Sequence, residues 1–283
     1  FRVGIDEWQD GLTAANNEQY LLVLGGPGVG ISTFLRNLGL EALENRLAHN
    51  LVPVFIELKS FKSEEISLQQ VIAKELKISG FPYADDLVKS MLSEGKMLVL
   101  FDGLDEIPSK HVDAVFAQIK NFCDQHKQNR FVTSCRVAAY KGGFNRIADV
   151  TMAEFNDEQI EQFVRSWFDS EPDQELHTAE KFWEMLQQDE NDSAKELAQT
   201  PLLLTFLCLV YDRSQSLPPV RSDLYGKSRN ILLEDWAAEK RIKQDSIYQG
   251  LHTGLEKELL SEIAYRSFKN DQLFFSEQEI IEQ

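Results

Sequence analysis

Cysteine is scarce in this chain. Among its 283 residues there are three, Cys123, Cys135 and Cys208, far apart and with no C-x-x-C pair. That spacing excludes a disulfide framework and the common thiolate zinc sites, so the three read as reduced core thiols of a cytoplasmic protein. Long apolar runs are also missing. The longest, "PLLLTFLCLVY", is about half of what a bilayer crossing needs and is expected to be a buried helix. No secretory leader is legible. Positive charge is in deficit: 29 Lys and Arg against 46 Asp and Glu leave a net charge of −17. A general positive field for gripping nucleic acid is thereby excluded, and no membrane binding is expected either. Any anionic ligand must be held by a local device, such as backbone amides or one placed metal ion. There is no internal repeat, low-complexity tract or EF-hand spacing. The chain opens on Phe1 and ends within a helical pattern, so it reads as a piece of something longer.

What is present falls into two styles. Up to residue 153, short apolar runs ("YLLVLG", "LVPVFIEL", "KMLVLFDG", "RFVTSC", "ADVTM") suit strands buried on both faces. Helical stripes lie between them, among them Leu68, Val71, Ile72 and Leu76, and then Val112, Val115, Phe116, Ile119, Phe122 and Cys123. The alternation predicts an α/β fold with a mainly parallel sheet and flanking helices, with ligands at the carboxyl ends of the strands. From 154 the strand signal fades. "NDEQIEQFVRSWF" reads as a helix capped by Asn156, and a second helix is broken or begun afresh at Pro201. "LPPVRSD" reads as a linker. Further helices follow, the last opened by a capping box in "SEQE" at 276–279.

Three segments carry chemistry, and each follows the end of an expected strand. "GGPGVGIST" (Gly25, Gly26, Pro27, Gly28, Val29, Gly30, Ile31, Ser32, Thr33) fits G-x-x-x-x-G-K-[ST] at every fixed position except the lysine, where Ile31 stands. Its glycines permit several N–H groups to converge on a phosphate, the following helix adds its positive end, and Ser32 stands where a hydroxyl would ligate Mg2+. A glycine turn without a ligand is the alternative. Second, "LVLFDGLDEI" runs an apolar strand straight into Asp102, with Asp105 and Glu106 in the next turn. Three carboxylates crowded there repel one another unless a cation such as Mg2+ joins them through Asp102. Asp105 or Glu106 would then polarise a water. A solvated acidic turn is the bland alternative. Third, Arg136 ends "NRFVTSCR", in reach of a terminal phosphate if one is bound.

With these residues the chain resembles the NACHT domain, the P-loop module of the STAND class of signalling NTPases, over nearly its whole length. "LLVLGGPGVGISTFL" resembles the family's Walker A segment, "LVLFDGLDEI" its Walker B with small residue and paired acids, and "FVTSCR" its sensor segment. "TPLLLTFLCLVY" resembles the helical-domain motif whose proline, here Pro201, lies against the base and sugar. "LYGKSRNILLEDW" and "LLSEIAYRSF" resemble the start of a winged helix. The resemblance implies a nucleotide-binding domain over 1–153, a helical domain over 154–216 and part of a winged helix over 217–283. It also implies ATP or ADP with Mg2+ as ligands, and a switch in which exchange of ADP permits homo-oligomerisation. Ile31 departs from the family and points to weak or no hydrolysis. An AAA+-type turnover ATPase and a nucleotide-free scaffold are the other readings. None of His49, His111, His126, His177 and His252 stands where the family places its ADP-contacting histidine.

Overall fold

The computed structural model describes residues 2–3, 7–61, 67–107, 111–140, 142, 147–217, 220–242 and 253–270. It divides into two compact units, 1–153 and 154–283.

The first unit is built on five parallel strands: β3 (Tyr20–Gly25), β4 (Val52–Glu57), β5 (Met97–Asp102), β6 (Arg130–Arg136) and β7 (Ala148–Thr151). Two short strands, β1 (Arg2–Val3) and β2 (Glu7–Trp8), precede them and extend the sheet antiparallel at one edge, giving the order β2-β1-β7-β3-β6-β5-β4. The sequence reading started the sheet at Tyr20 and missed these two. A two-residue strand offers no alternation to read.

Period-two alternation sorts the strand residues onto two buried faces. Leu21 and Val23 of β3, Leu98 and Leu100 of β5, and Val132 of β6 pack in one cluster with Leu35 and Leu38 of α2 (Ile31–Leu43) and Ala14 of α1 (Gly11–Asn17). Leu22, Leu24, Val99, Phe101 and Phe131 face the other way. They meet α3 (Leu68–Ile78), α4 (Ala84–Ser93) and α5 (Val112–Gln125) through Ile72, Val88 and Ile119. A sheet covered on both sides needs apolar residues at every strand position, which is why these strands read as continuous runs. The register sets Gly25 beside Arg136 and Glu57 beside Asp102, so the chemically suggestive residues gather at the carboxyl edge.

The second unit, among described residues, is helical: α6 (Asp157–Trp167), α7 (Glu171–Leu176), α8 (Thr178–Leu186), α9 (Asp192–Ala198), α10 (Pro201–Ser214), α11 (Arg221–Ile242) and α12 (Thr253–Lys269). Asn156 caps α6 in a reciprocal capping box with Gln159. Pro201 opens α10 at its first position, where a missing N–H costs nothing, so the chain starts a new helix there. Leu204, Leu207 and Tyr211 of α10 share one core with Ile160, Phe182, Leu197, and Leu224 and Ile231 of α11. The expected capping box at 276–279 lies outside the described residues. No helix among the described residues is long and apolar enough to cross a membrane.

Candidate nucleotide site

Strand β3 delivers Gly25 to the edge of the sheet, and the chain curls from there into α2. Gly28 and Gly30 turn that curl with φ of 78° and 100°. Gly30 is the N-cap of α2 in the left-handed region, where any side chain would be strained. The ladder of α2 begins with Phe34 N–H donating to Gly30 C=O at 2.9 Å. The amides of Ile31, Ser32 and Thr33 precede it and present the positive end of the helix. An added Cβ on Gly26 or Gly30 would meet no atom within 4 Å, so both glycines border open space. Gly25 does not. There a Cβ would stand 2.7 Å from both Ile31 Cδ1 and Val29 Cγ1. The Ile31 side chain therefore folds back over the end of β3, half-buried, with buried Val29 beside it, while Pro27 and Thr33 are exposed.

Ser32 Oγ donates to Asp102 Oδ1 at 2.9 Å, across the width of β6. Strand β6 supplies a residue that sequence reasoning missed. Ser134 Oγ donates to the same Asp102 oxygen at 2.7 Å and accepts the Gly103 N–H at 2.7 Å. A buried serine within an apolar strand has no sequence signal to separate it from a core hydroxyl. Gly103 has φ of 79°, in the left-handed region where a side chain would be strained, so glycine eases the turn into the acidic segment.

Asp105 and Glu106 sit in the short helical turn Leu104–Glu106 and face Arg136. The Arg136 N–H donates to Asp105 Oδ1 at 3.0 Å, and its Nε lies 3.2 Å from Asp105 Oδ2. Glu106 Oε1 is 4.0 Å from Arg136 Nη2. Only 9% of the Asp105 side chain is exposed, against 43% for Glu106, so Glu106 is the more accessible acid. Ser32, Asp102, Asp105, Glu106 and Arg136 are thus gathered around one corner of the sheet. Pro201 belongs to the second unit.

Burial pushes the Glu106 carboxyl above its ordinary value, and the charges of Asp105 and Asp102 add to the shift, with Arg136 and Lys59 opposing it. The ionised folded form is therefore penalised. This group's contribution is fully present below 4.5 and is lost as pH rises through the raised value. Glu106→Gln is expected to raise the melting temperature at pH 8, with the gap narrowing as pH falls toward 4.5. Thermal denaturation across that range checks it, and a gap that widens in acid contradicts the assignment. The three thiols are all buried and free. Burial holds Cys123 and Cys135 up to about 12, so both stay protonated and unreactive at neutral pH.

The residues fit a nucleotide with Mg2+. Uncommitted amides at a helix mouth and an open glycine curl suit a diphosphate, and a hydroxyl beside a carboxylate is the oxygen donor pair that a hydrated Mg2+ takes from a protein. No group of three or more His, Cys, Asp or Glu side chains placed to hold a metal occurs among the described residues.

The family model of the NACHT domain matches residues 19–171, more than half of the chain. The chain belongs to the NACHT family. The matched NACHT segment contains the glycine loop, the acidic strand end and Arg136. Solved structures similar to this NACHT chain include a signal transduction ATPase with numerous domains and a tetratricopeptide repeat sensor from Pyrococcus horikoshii. It is 14% identical with a TM-score of 0.42, covering 81% of this chain and 33% of that one. The Orc1 protein of Aeropyrum pernix, in complex with DNA, is 13% identical with a TM-score of 0.42, covering 79% and 62%. Domain III of the replication initiation protein DnaA from Thermotoga maritima is 12% identical with a TM-score of 0.41, covering 79% and 87%. The NACHT chain thus spans a third of the first of these and under two thirds of the second. No curated protein matches it significantly.

Proposed function

We propose that this NACHT chain is the ATP- and ADP-binding switch portion of a STAND-type NTPase, with hydrolysis impaired by Ile31. The observation that carries the reading is the Ser32–Asp102 hydrogen bond at the mouth of an open amide cradle. Gly25 to Thr33 hold the diphosphate, and Ser32 with Asp102 hold Mg2+. When bound, Mg2+ offsets phosphate charge that Ile31 cannot meet. Glu106 is the residual general base, and Asp105 keeps Arg136 at the sheet edge, from which it senses a terminal phosphate. In this reading residues 154–216 are a helical domain, and nucleotide exchange permits homo-oligomerisation in the cytoplasm.

Titration calorimetry with ADP and ATP, with and without Mg2+, tests this. Measurable binding of both is expected, tighter with Mg2+, together with negligible phosphate release. Brisk turnover would favour an ATPase of the AAA+ kind. No affinity for either nucleotide would favour a scaffold that keeps only the fold.

A further inference from the structure

We infer that Ser134 is a positioning residue that presets the Asp102 carboxylate for a divalent cation. The inference rests on the nucleotide-switch reading and adds a residue to it.

The strand bearing the phosphate loop and the strand bearing Asp102 are not neighbours, because β6 runs between them. Whatever aligns Asp102 with Ser32 must therefore come from, or pass over, β6. Register places Ser134 beside Val23 of β3 and Thr133 beside Phe101 of β5, so Ser134 is the β6 residue at the level of Asp102. It is 3% exposed.

Its hydroxyl has one proton and two lone pairs. The Gly103 N–H, at 2.7 Å, occupies a lone pair, and the proton goes to Asp102 Oδ1, also at 2.7 Å. The direction is forced. An amide can only donate to Ser134, and an ionised carboxylate can only accept from it. Ser134 thus locks the carboxylate plane to the backbone of the residue after it. Asp102 Oδ1 takes both serine protons, from Ser32 and Ser134, which fixes the rotation of the group and therefore the placement of Oδ2. A carboxylate held this way needs no reorientation when a cation arrives, and outer hydrogen bonds of this kind typically alter metal affinity by about 10–100-fold.

The same strand holds the other acid, since the Arg136 N–H donates to Asp105. Ser134 and Arg136 are two residues apart and on one face of β6. That strand works as a comb, with Ser134 holding Asp102 and Arg136 holding Asp105, and of the two only Ser134 reaches the carboxylate paired with Ser32.

The test compares the parent chain with Ser134→Ala, Ser134→Cys and Ser134→Thr. ADP affinity is measured by calorimetry in excess Mg2+ and again in EDTA. In the parent, Mg2+ is expected to tighten ADP binding. Ser134→Ala should keep the EDTA affinity within about twofold and lose about tenfold or more of the Mg2+ enhancement, whereas Ser134→Thr, which keeps the hydroxyl, restores it. Ser134→Cys nearly conserves volume but donates weakly, so it carries the test if the alanine variant fails to fold. It should lose the enhancement likewise. An unchanged enhancement in Ala or Cys overturns the inference, and so does an equal loss in both buffers, which marks a merely structural role. A parent that binds ADP without any response to Mg2+ also overturns it while leaving nucleotide binding intact. A parent that binds no ADP in either buffer overturns the switch reading together with it.

Discussion

Ile31→Lys is expected to tighten ATP binding by about tenfold to a hundredfold while making the free chain less stable. The two signs follow from one position. Ile31 folds back over Gly25, with Cδ1 2.7 Å from where a Cβ of that glycine would be, and packs at the margin of the α2 core. Lysine exchanges that packing for a charged stem that must run along the same path, a change of the order of 1 kcal/mol. With ATP bound, its ammonium meets the terminal phosphates, and one charge-assisted hydrogen bond contributes about 1.5–3 kcal/mol, or about one to two decades in Kd. Arg136 is held at the sheet edge by Asp105 through its N–H and Nε, so the ammonium adds a phosphate contact rather than replacing one. Calorimetry and thermal shift on both chains check the pair of signs. A variant with parent-like ATP affinity would show that the curl does not carry the terminal phosphates.

The residues that made the fold readable are the ones the sheet buries on both sides. "YLLVLG" and "KMLVLFDG" bracket β3 and β5 to within a residue, because a strand with two covered faces cannot afford a polar interruption. The acids and glycines of the site were equally legible, since unusual residues directly after such runs stand out. What escaped has a common physical cause. Ser134 acts through partners 31 and 32 residues away in sequence and Asn129 chiefly through partners 32 and 37 away, and nothing local distinguishes a serine bonded to a carboxylate from one bonded to its own strand. The Asp105–Arg136 pairing likewise exists only once β5 and β6 lie side by side. Pattern reads burial well. It does not read which polar atoms meet.

Asn129→Ala is expected to cost about 3–4 kcal/mol of stability in the first unit, with no effect on nucleotide affinity. Asn129 is fully buried at the amino edge of the sheet, one residue before β6. Its Oδ1 accepts the Met97 N–H at 3.0 Å, and its Nδ2 donates to the carbonyls of Leu92 and His126 at 2.8 and 2.9 Å. One side chain thus ties the start of β5 to the ends of α4 and α5. Alanine strands the Met97 N–H where water does not reach, at about 1–3 kcal/mol, and removes two hydrogen bonds of about 0.5–1.5 kcal/mol each from the Leu92 and His126 carbonyls, which keep the Gly95 and Asn129 N–H groups. Asn129→Asp should be worse still: its second oxygen would face two carbonyls, and ionisation there has no cationic partner among these contacts. Urea unfolding followed by circular dichroism checks the order parent, Ala, Asp. A loss below about 1 kcal/mol would mean that water reaches the site. Affinity separates this role from that of Ser134. Asn129 sits at the opposite end of the strands from the glycine curl, so the folded fraction of the alanine variant should bind ADP as the parent does, with Mg2+ and without it.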